Sequence, residues 1–151
     1  MELMVPESIQ SEHQELHGEL AGALKLGGKT AECARAVMKV IQPHMAREEE
    51  YVAPALALLS AAAENRLTDD MAVFLPRIAL LRGELPRMRR EHAAMVDALR
   101  ELMKAATEER QAGIARVAQR LVAHAQEEEE ILYPAAILVG EALKQRFGKP
   151  E

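Results

Sequence analysis

Histidine and glutamate recur in this chain in two arrangements that are nearly the same. In each, a Glu-His pair is followed 31 or 32 residues later by a histidine, then by a glutamate four positions on and by a proline six positions after that glutamate. The first arrangement consists of Glu12, His13, His44, Glu48 and Pro54, and the second of Glu91, His92, His124, Glu128 and Pro134. Imidazole and carboxylate groups bind iron, manganese and zinc. The repeat therefore predicts a metal site with two-fold pseudosymmetry.

The composition predicts one all-α domain that covers residues 1–151. A chain of this length can bury a core of its own. Alanine, leucine, glutamate, methionine and arginine are abundant, and these residues favour helices. The one cysteine, Cys33, excludes an internal disulfide and cysteine-based zinc motifs.

Charge and hydropathy exclude several classes of partner. The formal net charge of −5 argues against nucleic-acid binding, which calls for a basic surface. The longest uncharged run, from Tyr51 to Ala63, is too short to cross a bilayer. The N-terminal sequence also lacks the basic and apolar regions of an export signal. We therefore expect a cytoplasmic protein that binds neither nucleic acid nor membrane.

Apolar residues at alternating spacings of three and four predict four helices. The predicted helices lie between Pro6 and Gly27, from a Thr30 cap to Ala55, from about Ile78 to Leu99, and from about Thr107 to Ala135. Short connections between helices of this length favour an up-down-up-down antiparallel four-helix bundle. The elements that carry the histidines and glutamates are therefore expected to surround one core.

All five histidines and two of the glutamates fall on the inward-facing stripes of these helices. The seven candidate ligands are His13, His17, His44, Glu48, His92, His124 and Glu128. A carboxylate buried without a partner is strongly unfavourable and either neutralises or finds a cation. Seven polar groups directed at one core therefore predict a metal.

Helical spacing assigns these groups to two metals. Residues four apart lie on the same face of a helix, so each His-x3-Glu pair can approach one metal while its longer glutamate reaches a second. In an antiparallel bundle His13 is expected to meet His44, and His92 to meet His124. Each half of the chain would then hold one metal, with Glu48 bridging from one side and the second glutamate from the other.

With these elements the chain resembles the hemerythrin-like proteins of the HHE cation-binding family. The likeness runs from about Ser8 to Gly140 and includes the Leu-Tyr-Pro run that ends at Pro134. The resemblance implies a left-handed four-helix bundle with two non-haem irons, bridged by carboxylates and an oxo or hydroxo group, that can bind O2. It makes terminal ligands of His13, His44, His92 and His124, and bridges of Glu48 and Glu128.

The chain departs from the oxygen-carrying members of that family at the fifth histidine. Those members have a His-x3-His pair on the third helix, whereas here Val96 follows His92 by four positions. A His-x3-His pair, His13 and His17, occurs on helix 1 instead. His17 is thus either a ligand of the other iron or a residue outside the ligand set, and the two irons are expected to be inequivalent.

Three functions remain open at the level of the sequence. The first is a protein that binds O2 or a related small diatomic as a sensor or a store, acting through a homodimer or a separate signalling partner. The second is a di-iron oxidase, or an enzyme that responds to peroxide or NO. The third is iron handling or repair of iron centres. The candidate acids and bases, Glu12, Glu49, Tyr51 and Glu91, have no convincing arrangement, so the sequence favours a binding protein over an enzyme.

Residues near the candidate ligands have expected roles as well. Glu12 and Glu91 can orient ligand imidazoles as hydrogen-bond acceptors, whereas Glu129 is expected to lie on a solvated acidic face. Tyr51 is expected to line the site, and Tyr133 to pack at its periphery. The residues expected to form a dry apolar wall are Leu85, Met88, Val96 and Leu121.

Overall fold

The chain folds into a helical bundle, as its composition predicts. The computed structural model describes residues 5–148, and its regular structure is helical throughout that range. The helices are α1 (Glu7–Ala23), α2 (Gly28–Tyr51), α3 (Ala53–Ala57), α4 (Leu59–Ala63), α5 (Leu75–Ala79), α6 (Leu81–Glu108), α7 (Ala112–Glu127) and α8 (Tyr133–Phe147). A 3₁₀ helix, Asp69–Phe74, precedes α5, and a π-helical turn, Glu128–Leu132, joins α7 to α8. None of the described helices is long and apolar enough to span a membrane.

Two clusters of buried apolar side chains fill the bundle, and a layer of polar side chains separates them. The first cluster includes Leu16, Leu20, Val37, Ile41, Met95, Leu99 and Leu121. The second includes Val52, Leu56, Leu81, Leu85, Met88, Val139 and Leu143. Along α2 the chain meets the first cluster and then the second, whereas along α6 the order is reversed. Residues halfway along these helices therefore reach the same level, between the clusters.

The start of α2 is stabilised differently from the prediction. Gly27 and Gly28 have φ angles of 71° and 64°, and the helix begins at Gly28, before the expected Thr30 cap. Glu109, just beyond α6, accepts hydrogen bonds from the backbone N–H of Thr30 (2.5 Å) and of Lys29 (3.3 Å) and from the Thr30 hydroxyl (2.6 Å). A carboxylate from a distant segment thus satisfies the free amides at this helix N-terminus.

The predicted start of the fourth helix near Thr107 is also wrong. Thr107 lies in the last turn of α6, and its hydroxyl donates a hydrogen bond of 2.8 Å to the Met103 carbonyl oxygen. The hydroxyl is therefore bonded back along its own helix and does not cap the next one. The chain turns at Arg110, where φ is 59°, and α7 begins at Ala112.

After each His-x3-Glu pair, a new helix begins at the residue before the repeated proline. Pro54 lies in the first turn of α3 and Pro134 in the first turn of α8, where a residue without an N–H is tolerated. In the second repeat the chain makes a π-helical turn before the proline, and the Tyr133 N–H bonds to the Glu128 carbonyl oxygen. The two repeats therefore have different local geometry despite their similar sequences.

Candidate metal centre

Six of the seven predicted ligands meet in the polar layer between the two apolar clusters. His13 comes from α1, His44 and Glu48 from α2, His92 from α6, His124 from α7 and Glu128 from the π-helical turn. Five of them are buried, and the sixth, His13, has 26% of its side chain exposed. Each His-x3-Glu pair shares one helical face, which explains why its two side chains reach the layer together.

The donor atoms form two groups that share one carboxylate. His44, Glu48, His92 and Glu128 form one group and His13, His124 and Glu128 the other, with the donor atoms of each group within 4.8 Å of one another. The Glu128 Oε1 atom lies 3.5 Å from the Nε2 atoms of both His92 and His124. Glu128 therefore belongs to both groups and connects them.

The second carboxylate, Glu48, also extends between the two groups. Its Oε1 atom lies 2.8 Å from His44 Nε2, and its Oε2 atom lies 4.0 Å from His13 Nε2. Both glutamates can thus face two metal positions at once.

The histidines are paired differently from the prediction. The Nε2 atoms of His13 and His124 lie 2.8 Å apart, and so do those of His44 and His92. The expected pairs, His13 with His44 and His92 with His124, are therefore wrong for this structure. The observed pairs join side chains of neighbouring helices, α1 with α7 and α2 with α6, so each pair combines the two halves of the sequence.

One imidazole is oriented by a carboxylate that is itself held by an arginine. The Nδ1 atom of His44 lies 3.2 Å from Glu91 Oε1, and Arg47 Nε donates to both oxygens of Glu91 at 2.9 and 2.8 Å. These bonds from Arg47 hold the pKa of Glu91 below its usual value. With Nδ1 donating to Glu91, the Nε2 of His44 is free to bind a metal.

The Nδ1 atoms of His92 and His124 differ in their contacts with carboxylates. The Nδ1 of His92 lies 3.0 Å from Glu129 Oε1, so Glu129 contacts a candidate ligand and is not merely part of a solvated face. His124 Nδ1 lies 3.6 Å from Glu12 Oε2 and has no hydrogen-bond partner among the described residues. The prediction that Glu12 and Glu91 face imidazoles is therefore correct in position, but in the structure only the Glu91 contact is a hydrogen bond.

Tyr133 lies at the centre of the site and not at its periphery. It is 1% exposed, and its hydroxyl donates to Glu48 Oε1 at 2.5 Å and lies 3.2 Å from His44 Nε2 and 3.1 Å from His92 Nε2. In a regular α-helix the fifth residue after Glu128 would point about 140° away from it. The π-helical turn adds a residue to that turn and brings the phenol back over the glutamate.

Comparison with protein families identifies the chain. The model of the hemerythrin HHE cation-binding domain matches residues 4–136, a range that contains all six converging donors. The chain belongs to the hemerythrin HHE family. Comparisons with curated proteins and with solved structures give no match.

The electrostatics of this hemerythrin-family site are those of a cation site. Burial, followed by the neighbouring Glu48 carboxylate, raises the pKa of Glu128 to about 12. Burial opposes the ionisation of Glu48 too, but hydrogen bonds from Glu128, His44 and Tyr133 hold its pKa below the usual value. No lysine or arginine within residues 5–148 forms an ion pair with either glutamate. Two adjacent buried carboxylates then need a proton or a metal between them, and the imidazoles around them fit a metal.

The pKa values of the imidazoles in this hemerythrin-family centre are shifted in different directions. Burial lowers the pKa of His13 and of His92. Burial acts in the same direction on His44, but hydrogen bonds to Glu48 and Glu91 outweigh it and raise the pKa of His44. His13 and His92 are therefore held in the neutral form that binds metals.

A cavity of about 440 Å³ opens beside one half of the centre. Its lining includes Ile9, Gln10, His13, Gln14, His17, Met45, Glu48, Val52, Ala53, Leu56 and Glu128. His17 thus lies next to His13 but belongs to neither group of donor atoms. Tyr51 does not line this cavity. Of the four residues expected to form an apolar wall, Leu121 lines a smaller cavity beside the same donors and Val96 lines a third cavity at His92.

Proposed function

We propose that the site holds two non-haem irons. His13, His44, His92 and His124 are the terminal ligands, Glu48 and Glu128 are the bridges, and His17 stays outside the ligand set. The observation that carries this proposal is Glu128, whose carboxylate oxygen is equally distant from a histidine of each donor group. Imidazole with carboxylate, and no thiolate among the six converging donors, suits iron.

The protein is proposed to bind O2 or a related small diatomic as a sensor or a store. When bound, an iron pair supplies reversible electron donation to such a ligand. The chain surrounds the pair with two apolar clusters that exclude water from both ends of the polar layer. The cavity at His13 provides a path from the surface.

The same proposal extends to the whole chain. We propose that residues 1–151 form one domain, a left-handed up-down-up-down four-helix bundle that works in the cytoplasm without nucleic acid or membrane. The reversed order in which α2 and α6 meet the two apolar clusters supports the alternating helix directions.

Tyr133 favours a second candidate, a di-iron oxidase or an enzyme that responds to peroxide or NO. Its hydroxyl lies within hydrogen-bond distance of Glu48, His44 and His92. Burial raises the pKa of this phenol, and the Glu48 carboxylate raises it further. The phenol therefore stays protonated against the centre and can donate a hydrogen bond to a bound ligand, a contact that an enzyme uses to stabilise developing negative charge.

Metal content and an optical spectrum distinguish these functions. The purified protein is loaded with ferrous iron without oxygen, and its spectrum is recorded before air, after air and after removal of the air. Two irons per chain with an absorption band that appears and disappears support reversible binding. Irreversible oxidation favours the enzyme, and a single zinc per chain contradicts the di-iron proposal.

A further inference from the structure

The two repeats differ at the residue before the shared proline. Five positions after the glutamate, the first repeat has Ala53 and the second has Tyr133. Each is the first residue of a helix, α3 or α8, so the two positions correspond along the chain. A methyl group in one half thus takes the place of a phenol in the other.

The phenol occupies the space next to one imidazole pair. The ring of Tyr133 stacks on that of His92 with the centroids 5.6 Å apart. Its hydroxyl lies 3.2 and 3.1 Å from the Nε2 atoms of His44 and His92. The ring therefore covers the side on which these two Nε2 atoms lie, whereas the surface cavity that His92 does line is at Glu129, on the side of its Nδ1 atom.

The methyl group leaves the other side open. Ala53 lines the cavity of about 440 Å³ together with His13 and both bridging glutamates, whereas His44 and His92 do not line it. Small-molecule sites measure about 300–1,000 Å³, so the cavity has room for more than a diatomic. Apolar side chains such as Val52 and Leu56 form part of its wall, which disfavours highly charged ligands.

We infer that external ligands enter through the Ala53 cavity and bind on the His13 side, while Tyr133 closes the side of His44 and His92. The inference rests on the proposed di-iron function and adds the route and the side of binding. The ligands it admits are neutral or singly charged oxygen and nitrogen donors, from a diatomic to a small organic peroxide. Ala53 and Tyr133 are the residues that decide the side.

The route is tested by filling the cavity from α1. Gly18 lines the cavity, and a Cβ atom added there meets no atom within 4 Å, so Gly18→Phe places its ring in open space. Gly22, one turn along, has the same freedom but does not line the cavity, so Gly22→Phe is the matched control. The probe is azide, added to the oxidised iron-loaded chain and followed by absorbance.

Gly18→Phe is expected to slow azide binding on the order of tenfold or more, since a blocked path acts on the association rate. Gly22→Phe is expected to leave the rate unchanged, with equal iron content in all three proteins. Equal azide rates in the two variants, with iron bound, would overturn the inference and leave the di-iron proposal intact. A wild-type chain that takes up no iron would overturn both.

The closing role of Tyr133 is tested by opening the second side in the blocked protein. Tyr133→Leu added to Gly18→Phe is expected to restore fast azide binding, because the smaller side chain exposes the pair of His44 and His92. A double variant that holds iron but stays slow would contradict that role.

A third measurement needs neither metal nor a core substitution. Xenon added to the metal-free wild-type chain is expected to shift the NMR signals of the Ile9, Val52 and Leu56 methyl groups, which line the cavity. These shifts are expected to vanish in Gly18→Phe and to persist in Gly22→Phe. Methyl signals that do not respond to xenon would show that the cavity is closed and would overturn the inference.

Discussion

Glu128 joins the two halves of the proposed centre. Its substitution therefore tests whether the two metals share one site or occupy two independent sites. Its carboxylate oxygen lies 3.5 Å from a histidine of each group. We therefore expect Glu128→Ala to lose both irons and not one, as measured by metal analysis after ferrous loading.

Glu130→Ala is the matched control for that experiment. Glu130 is exposed, two residues further along the same acidic run, and its replacement is expected to leave two irons bound. Retention of one iron by Glu128→Ala would show that the two metal positions are independent.

Metal uptake at this site is expected to release protons. Because burial and the Glu48 carboxylate raise the pKa of Glu128 to about 12, the metal-free chain carries a proton on this carboxyl at neutral pH. Iron displaces it, so apparent iron affinity should rise with pH.

Calorimetry in two buffers with different ionisation enthalpies counts those protons. At least about one proton per chain is expected from the Glu128 carboxyl, so the measured uptake enthalpy should differ between the two buffers. An uptake enthalpy that does not depend on the buffer would contradict the assignment of this proton.

The pair of Arg47 and Glu91 is expected to act on the metal through His44. Glu91 lies 3.2 Å from His44 Nδ1 and is fixed by Arg47. Loss of such an orienting partner costs roughly 10- to 100-fold in metal affinity, so Glu91→Ala should weaken iron binding by that factor in a chelator competition. Glu101→Ala, at an exposed position of the same helix, should leave the affinity unchanged.

At the residue scale the sequence predicted which donors meet but not what surrounds them. The six donors were predictable because helical spacing places each on a buried stripe. Tyr133 and Glu129 were missed, the first because it follows a π-helical turn and the second because it lies within a charged run. His17 was placed correctly on the inward face of α1, yet it lies at the cavity and outside both donor groups.

At the scale of the elements, the glycine that begins α2 allows this helix to pack closely against the end of α6. Gly28 has a φ of 64°, and a Cβ atom there would collide with the Glu109 carboxylate that accepts the first amides of α2. Gly28→Ala is therefore expected to destabilise the fold by about 1–3 kcal/mol.

The control for that substitution is Gly22→Ala. Gly22 lies inside α1 with open space around its Cα, where alanine is expected to stabilise by about 0.5–1 kcal/mol. Urea unfolding of the metal-free proteins measures both values. Equal effects of the two substitutions would show that the contact between Gly28 and Glu109 carries no stability.

The element scale also explains why the histidine pairs could not be read from the sequence. Periodicity defines the face that each helix buries, and the four predicted helices correspond to α1, α2, α6 and α7 with the start of α8. It does not say which neighbour each face meets at a given height. The neighbour that each face meets depends on how α1 packs against α7 and α2 against α6. The volumes of many side chains together determine that packing.

At the scale of the whole molecule, the polar layer is the unusual feature of the core. Buried histidines and glutamates separate two apolar clusters that would otherwise form one continuous core. Burying such groups is unfavourable unless they are neutralised or bound to a cation. A metal pair held by four helices (α1, α2, α6 and α7) and the π-helical turn would connect these elements and stabilise the folded bundle.

The most direct test of this account is anomalous X-ray diffraction from crystals of the iron-loaded protein. We predict two iron peaks per chain, about 3.5–4 Å apart as in other two-metal sites, with the Glu128 carboxylate between them and Tyr133 beside the iron of His44 and His92. A single peak, or two peaks that Glu128 does not join, would contradict the shared centre.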